Sequence, residues 1–142
     1  MASLNDVRIA VEALGQQFAM PPTYPLHLLS SDERNALESE KGWKRASISP
    51  GEWATQAGAY VLLDGDVVRY VGRALKGQGL ATRLREHVRA NPNLTSSQAG
   101  QRTWQIAVVA LDDDWAWLAP SLELWIHWKV RDDGGLLNLK RC

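Results

Sequence analysis

The spacing of hydrophobic residues changes along this 142-residue chain. Over residues 3–19 they recur at helical spacing and stop before Pro21-Pro22, which predicts an N-terminal helix. The triplet Ser31-Asp32-Glu33 is typical of a helix start, so a second, short helix is predicted over residues 31–39. Residues 40–57 follow no regular period and are predicted to be irregular. We interpret residues 1–55 as a helical N-terminal extension of a compact unit.

From residue 58 onward, β-rich segments alternate with helical ones. Strands are predicted over 60–63 and 67–71, because both flank Asp64-Gly65-Asp66, a strong hairpin signal. A helix over 80–90 follows, then a third strand over 104–111 that is continuous enough to be internal in a sheet. Pro120 suits the first turn of a helix that runs to about residue 130, and residues 136–139 form a short closing strand. The order β-β-α-β-α-β predicts an α+β domain over 56–142, with a small, mostly antiparallel sheet and flanking helices.

Composition narrows the class of protein. Hydrophobic residues at 45% and charged residues at 23% are ordinary for a soluble globular domain, and the apolar runs are too short to cross a bilayer. The single cysteine, Cys142, excludes an internal disulfide framework and a cysteine-based zinc cluster. Polar residues interrupt the first twelve positions, so no secretory signal is evident. We expect one cytoplasmic domain that does not enter a membrane.

The formal net charge of zero argues against a protein that coats nucleic acid, but the charge is unevenly distributed. Between residues 69 and 89, six cations stand against one acid, Glu86. These cations, named here the basic stripe, are Arg69, Arg73, Lys76, Arg83, Arg85 and Arg89. A local polyanion site would give this pattern, and so would chance clustering on a solvated helix face.

Five residues suit chemistry on a phosphate. Tyr60 and Tyr70 are expected on adjacent strands, and Arg83 and His87 lie one turn apart on the following helix. Arginine offers a planar fork of donors to phosphate oxygens, and Glu123 is a hard oxygen ligand fit for Mg²⁺. A tyrosine with a pKa near ~10 activates water only if nearby cations lower that pKa or a histidine relays its proton.

Each of these residues also has a purely structural interpretation. Alone, the tyrosines fit ordinary strand positions, and His87 and Arg83 fit a solvated helix surface. Glu123 is harder to explain in this way, because an unpaired carboxylate in an apolar helix is costly. His127, four residues later, could join it in a transition-metal site, but a buried packing role is favoured.

The seven tryptophans are many for this length. Trp115 and Trp117 could stack on unpaired bases, although packing is the favoured interpretation. Trp43, beside Lys41, Lys44 and Arg45, is the better candidate for a contact with nucleic acid or a partner.

The order of these residues resembles that of the GIY-YIG nuclease family over residues 58–140. Gly58-Ala59-Tyr60 matches the first signature with alanine in place of isoleucine, and Tyr70-Val71-Gly72 matches the second. The later family positions are matched by Arg83, His87, Glu123 and Asn138. The resemblance implies a divalent-metal-dependent endonuclease that uses Mg²⁺ or Mn²⁺ to hydrolyse nucleic acid, with DNA favoured. Restriction, mobile-element and repair roles would all suit such an enzyme.

By this resemblance the catalytic residues are Tyr60, Tyr70, Arg83, His87, Glu123 and Asn138, with Glu123 as metal ligand. Tyr60 is expected to activate water, with Tyr70 and His87 in the proton relay. The expected substrate-binding residues are Gly72, Arg73, Lys76, Arg85 and Arg89. A homodimer would allow both strands of a duplex to be cut. The alternatives are a catalytically inactive nucleic-acid-binding module and a protein-interaction module on the same fold.

Overall fold

An antiparallel sheet of four strands forms the centre of the fold. The computed structural model describes residues 2–17, 26–38, 52–90 and 104–130. The strands are β1 (His27–Leu28), β2 (Ala57–Asp64), β3 (Val67–Ala74) and β4 (Trp104–Leu111), in the order β1-β4-β2-β3 across the sheet. The prediction that residues 104–111 form an internal strand is therefore confirmed, and β3 lies at one edge of the described sheet.

The β2–β3 hairpin forms at the predicted turn. Asp64 pairs with Val67, and Gly65 between them has a φ of +61°, a left-handed conformation that glycine adopts without steric cost. Both strands extend beyond the predicted ranges, to 57–64 and 67–74. Residues 57–59 have weak strand preference, but all three pair with β4, and Gly58 and Ala59 also pair with β3. This tertiary pairing outweighs propensity.

The predicted helices are present in the described residues. They are α1 (Leu4–Gln17), α2 (Ser31–Glu38), α3 (Leu80–Ala90) and α4 (Ala119–Val130), with short 3₁₀ helices at Glu52–Thr55 and Asp113–Leu118. Helix α2 starts with a reciprocal cap, because the backbone N–H of Glu33 bonds to the Ser30 hydroxyl while its carboxylate accepts from the N–H of Ser30. The same exchange between Ser3 and Asp6 starts α1.

The alternation of side chains along the strands divides the interior into two cores. Odd-numbered positions of β2 face α1 and α4, where Val61 packs with Val7 and Ile126. Even-numbered positions face α2 and α3, where Leu62 packs with Leu84. The sheet therefore separates two layers of helices, and a side chain on β2 or β3 reaches only one of them.

The described part of the N-terminal extension packs on this unit. Val7 and Leu14 of α1 are buried, and the Trp125 indole N–H of α4 donates to the carbonyl of Ala10 at 2.7 Å. Strand β1, which the sequence did not predict, pairs with β4 through His27 and Leu28. Two paired residues are too few to give a hydrophobic period, so this strand depends on the tertiary fold.

The α+β class, with an antiparallel sheet and flanking helices, is confirmed, whereas the family-specific topology stays a prediction. The predicted loop over 93–102 and the closing strand over 136–139 lie outside the described residues. Within those residues, every helix is too short or too polar to cross a membrane.

Candidate functional site

Tyr60, Tyr70 and His87 converge on the α3 face of the sheet, and we call them the tyrosine–histidine cluster. The Tyr60 hydroxyl lies 3.4 Å from Nδ1 of His87 and donates to it in the tautomer that carries its proton on Nε2. The rings of Tyr70 and His87 meet edge to face, with centroids 4.2 Å apart. The two tyrosine rings are nearly parallel at 6.3 Å. Three separate elements, β2, β3 and α3, therefore bring the predicted relay residues together.

Burial distinguishes the members of this cluster. Tyr60 is 1% exposed and His87 is 5% exposed, while Tyr70 is only half-buried. Tyr70 is thus the member best placed to meet solvent or a bound molecule. Tyr60, which the resemblance implies to be the water-activating tyrosine, therefore lies behind Tyr70 and is hydrogen-bonded to His87.

Gly72 provides the space for Tyr60. The two residues are paired across β2 and β3, so they share a face of the sheet. A Cβ atom at position 72 would lie 2.5 Å from the Tyr60 hydroxyl oxygen and 2.9 Å from Cε1, with Cζ closer still. The sequence suggested only that Gly72 admits a phosphate to the backbone, and this packing requirement could not be predicted without the strand register.

Glu123 lies on the opposite face of the sheet, where α4 packs. It is 1% exposed, and its Oε2 accepts a hydrogen bond from Nη1 of Arg73 at 3.0 Å. Arg73 points to this face because it pairs with Ala59, an odd-numbered position of β2, and about a third of its side chain is exposed. The structure therefore places the predicted metal ligand beside a residue that was predicted to bind substrate, and on the other face from the tyrosine–histidine cluster.

The described side chains of the basic stripe do not form one surface, since Arg73 lies on the α4 side of the sheet. Arg83 is partly exposed and forms an ion pair with Glu86 at 3.6 Å, one turn before His87 on the same helix. Arg85 donates to the carbonyl of Leu37 at 2.7 Å, which ties α3 to α2. Lys76 is exposed in the loop between β3 and α3. The side chain of Arg89 and all of Asn138 lie outside the described residues.

A second polar cluster, unpredicted from sequence, surrounds Glu33. Its carboxylate accepts from the Trp53 indole at 2.6 Å and from the backbone of Ser30, and it lies 2.9 Å from the His27 ring. Burial raises the pKa of Glu33, but these hydrogen bonds and the charge of His27 together lower the pKa below its ordinary value. The cluster joins β1, α2 and the first 3₁₀ helix, so its role is to attach these elements to one another.

Glu123 is the metal ligand that the family resemblance implies. No three His, Cys, Asp or Glu side chains among the described residues lie together as a metal-binding group. His127 is 1% exposed, which confirms the prediction of a buried histidine. Mg²⁺ commonly takes one or two carboxylates and completes its shell with waters and substrate phosphates. Glu123 is a single buried carboxylate that already accepts a hydrogen bond from Arg73, so the Mg²⁺ ion stays a prediction.

Comparisons with models of protein families, with curated proteins and with solved structures find no match to this chain.

Proposed function

We propose that this chain is a divalent-metal-dependent endonuclease of the GIY-YIG type that hydrolyses phosphodiester bonds, with DNA as the favoured substrate. The observation that carries the proposal is the meeting of Tyr60, Tyr70 and His87. These residues come from three elements and belong to the set that the family resemblance marks as catalytic. A histidine in contact with two tyrosines on the predicted strands is what a proton relay requires.

In this mechanism Tyr70 faces the attacking water and Tyr60 supports it from within the protein. A tyrosine must lose its proton to act as a base, and that proton needs an acceptor. Nδ1 of His87 lies within hydrogen-bond range of the Tyr60 hydroxyl, so it can take the Tyr60 proton, and Tyr60 would in turn accept the proton that Tyr70 loses. The half-buried position of Tyr70 keeps its ring in contact with His87 while leaving part of it accessible.

The cations next to the tyrosine–histidine cluster would bind the phosphate. Arg83 lies four residues before His87, on the same side of α3, and its ion pair with the exposed Glu86 can be exchanged for a phosphate at small cost. A guanidinium binds two phosphate oxygens at once and stabilises the charge that develops in the transition state.

Glu123 would hold the metal, and Arg73 would keep the carboxylate oriented through its 3.0 Å hydrogen bond. A bound Mg²⁺ polarises the phosphate and stabilises the leaving oxygen. Because β3 lies at an edge of the described sheet and carries Tyr70 on one face and Arg73 on the other, a nucleic acid lying along that edge would meet both groups. The split of the site between two faces thus remains compatible with one substrate.

The competing function is nucleic-acid binding without catalysis. The observation that favours it is burial: Tyr60 and His87 are almost inaccessible, and Glu123 already accepts a hydrogen bond from Arg73. On this alternative the cluster is a packing unit, and binding to nucleic acid needs no metal.

The deciding experiment is a cleavage assay on end-labelled single-stranded and duplex DNA with Mg²⁺, Mn²⁺ or EDTA, repeated on RNA. We expect metal-dependent cleavage by the wild type, and a loss of at least about 100-fold in Glu123→Gln and Arg83→Ala. Tyr70→Phe should lose more activity than any exposed control. Glu52→Gln is a suitable control, because it replaces an exposed acid that has no part in the proposed site.

Circular dichroism of each variant separates loss of catalysis from loss of folding. Folded protein that binds DNA but never cleaves it, with binding unchanged by EDTA and by Glu123→Gln, would replace the nuclease with the binding module. Cleavage that persists in Glu123→Gln would remove Glu123 from the site.

A further inference from the structure

A cleft of about 420 Å³ opens where the β3–α3 loop meets the 3₁₀ helix before α4. We call it the Trp117 cleft, and it is lined by Leu75, Lys76, Asp113, Ala116, Trp117 and Pro120. Its volume lies in the lower part of the range that is typical of small-ligand sites. Most of its lining residues are apolar, and its two charged residues are Lys76 and Asp113.

Trp117 is the main feature of this cleft, because it is 63% exposed and yet held in place. Its indole N–H donates to the carbonyl of Asp114 at 3.0 Å, and its ring lies 5.8 Å from the ring of Trp115. A large aromatic surface that is fixed before binding loses little conformational entropy when a second ring stacks on it. The favoured sequence interpretation, in which Trp117 packs inside the protein, is wrong for this residue.

The cleft adjoins the Arg73–Glu123 pair along both elements that form it. Leu75 lies two residues after Arg73 as the chain leaves β3, and Pro120 lies one helical turn before Glu123 on α4. A molecule bound to the proposed metal site would thus have the Trp117 cleft directly beside it.

We propose that the Trp117 cleft binds one unpaired nucleotide next to the phosphodiester bond that is cleaved. The base stacks on Trp117, with Leu75 and Pro120 as its other apolar contacts, while Lys76 contacts the adjoining phosphate. The carboxylate of Asp113 can accept from the N–H groups on the edge of a base. This inference rests on the proposed function and narrows its substrate to single strands or junctions with unpaired nucleotides, because a base within a duplex cannot stack on a protein ring.

Binding can be tested apart from cleavage. In EDTA, fluorescence anisotropy would compare a labelled single-stranded oligonucleotide of mixed sequence with the same sequence as a duplex. Trp117→Ala should weaken binding of the single strand by about tenfold and leave duplex binding within about twofold. Trp117→Phe, which keeps an aromatic ring, should restore most of the affinity. The matched control is Trp128→Ala, because Trp128 is also exposed, at 49%, but lies outside the cleft.

The inference fails if the wild type does not bind the single strand, if Trp117→Ala binds it as well as the wild type, or if Trp128→Ala loses as much affinity. It also fails if Trp117→Ala converts a wild-type dimer to a monomer in sedimentation while DNA binding is unchanged, since the cleft would then be an interface between copies. The cleavage assay with Glu123→Gln decides the nuclease separately, so either idea can fail while the other stands.

Discussion

Gly72→Ala would test the packing on which the tyrosine–histidine cluster depends. The added Cβ would lie 2.5 Å from the hydroxyl oxygen and 2.9 Å from Cε1 of Tyr60, while non-bonded carbon contacts are favourable near about 3.5–4.0 Å. Either the ring or strand β3 must therefore move by about 1 Å. Tyr60 is 1% exposed and its ring lies beside the rings of Tyr70 and His87, so a shift of the Tyr60 ring would disturb the whole cluster.

Over-packing of this kind in a filled core costs about 1–3 kcal/mol of stability. We therefore expect the free energy of unfolding to fall by that amount in Gly72→Ala. The displaced hydroxyl should also lose its 3.4 Å approach to His87, so the proposed nuclease activity should fall more than the loss of stability explains.

Urea unfolding followed by far-UV circular dichroism measures the effect. Gly65→Asn is the control, because position 65 has open space around its Cβ and asparagine tolerates the left-handed conformation there. A double-mutant cycle with Tyr60→Leu then isolates the contact, since leucine lacks the atoms that would clash. The reasoning is refuted if Gly72→Ala is as stable as the wild type, or if its cost is the same in the Tyr60→Leu background.

Three further predictions concern polar contacts. Arg73→Ala should lower the unfolding free energy by about 2 kcal/mol, because the buried carboxylate of Glu123 loses a charged donor. The loss is not larger because the Arg73 side chain is partly solvated. An unchanged midpoint in urea unfolding would contradict this. Glu33→Gln should be less stable than the wild type at neutral pH. The difference in stability between the two proteins should shrink as pH falls below about 4.5 and through the lowered pKa of Glu33, because a carboxylate with a depressed pKa stabilises the fold only while it is ionised. A difference in thermal unfolding that does not depend on pH would contradict this. Arg85→Met should speed hydrogen exchange in α2, because it removes the bond to the Leu37 carbonyl, and unchanged protection of α2 would count against the contact.

The local elements were predictable because their causes lie close together in the sequence. The hairpin follows from Gly65 between two β-rich runs, and α4 from Pro120 ahead of an apolar helix. Strand β1 was not predictable, since only pairing with β4 defines it. The ends of β2 and β3 were missed for the same reason, because pairing in the sheet extends strands through residues of weak propensity.

Candidate site residues could be chosen from their chemistry, but their contacts could not. The contact between Tyr60 and His87 joins residues 27 positions apart, and the bond between Arg73 and Glu123 spans 50 positions. The odd spacing of Tyr70 and Arg73 would place them on opposite faces of one strand, but the predicted strand ended at residue 71, so this split of the site was missed.

The sequence by itself determined the periodicity, the turn and the helix starts, and hence the α+β class, because these depend on neighbours within a few residues. Only the tertiary structure decided that Tyr60 is buried behind Tyr70, that Arg73 turns to Glu123, and that Trp117 stays exposed. The reason is the strand register and the packing of helices on each face, which set where every second side chain points.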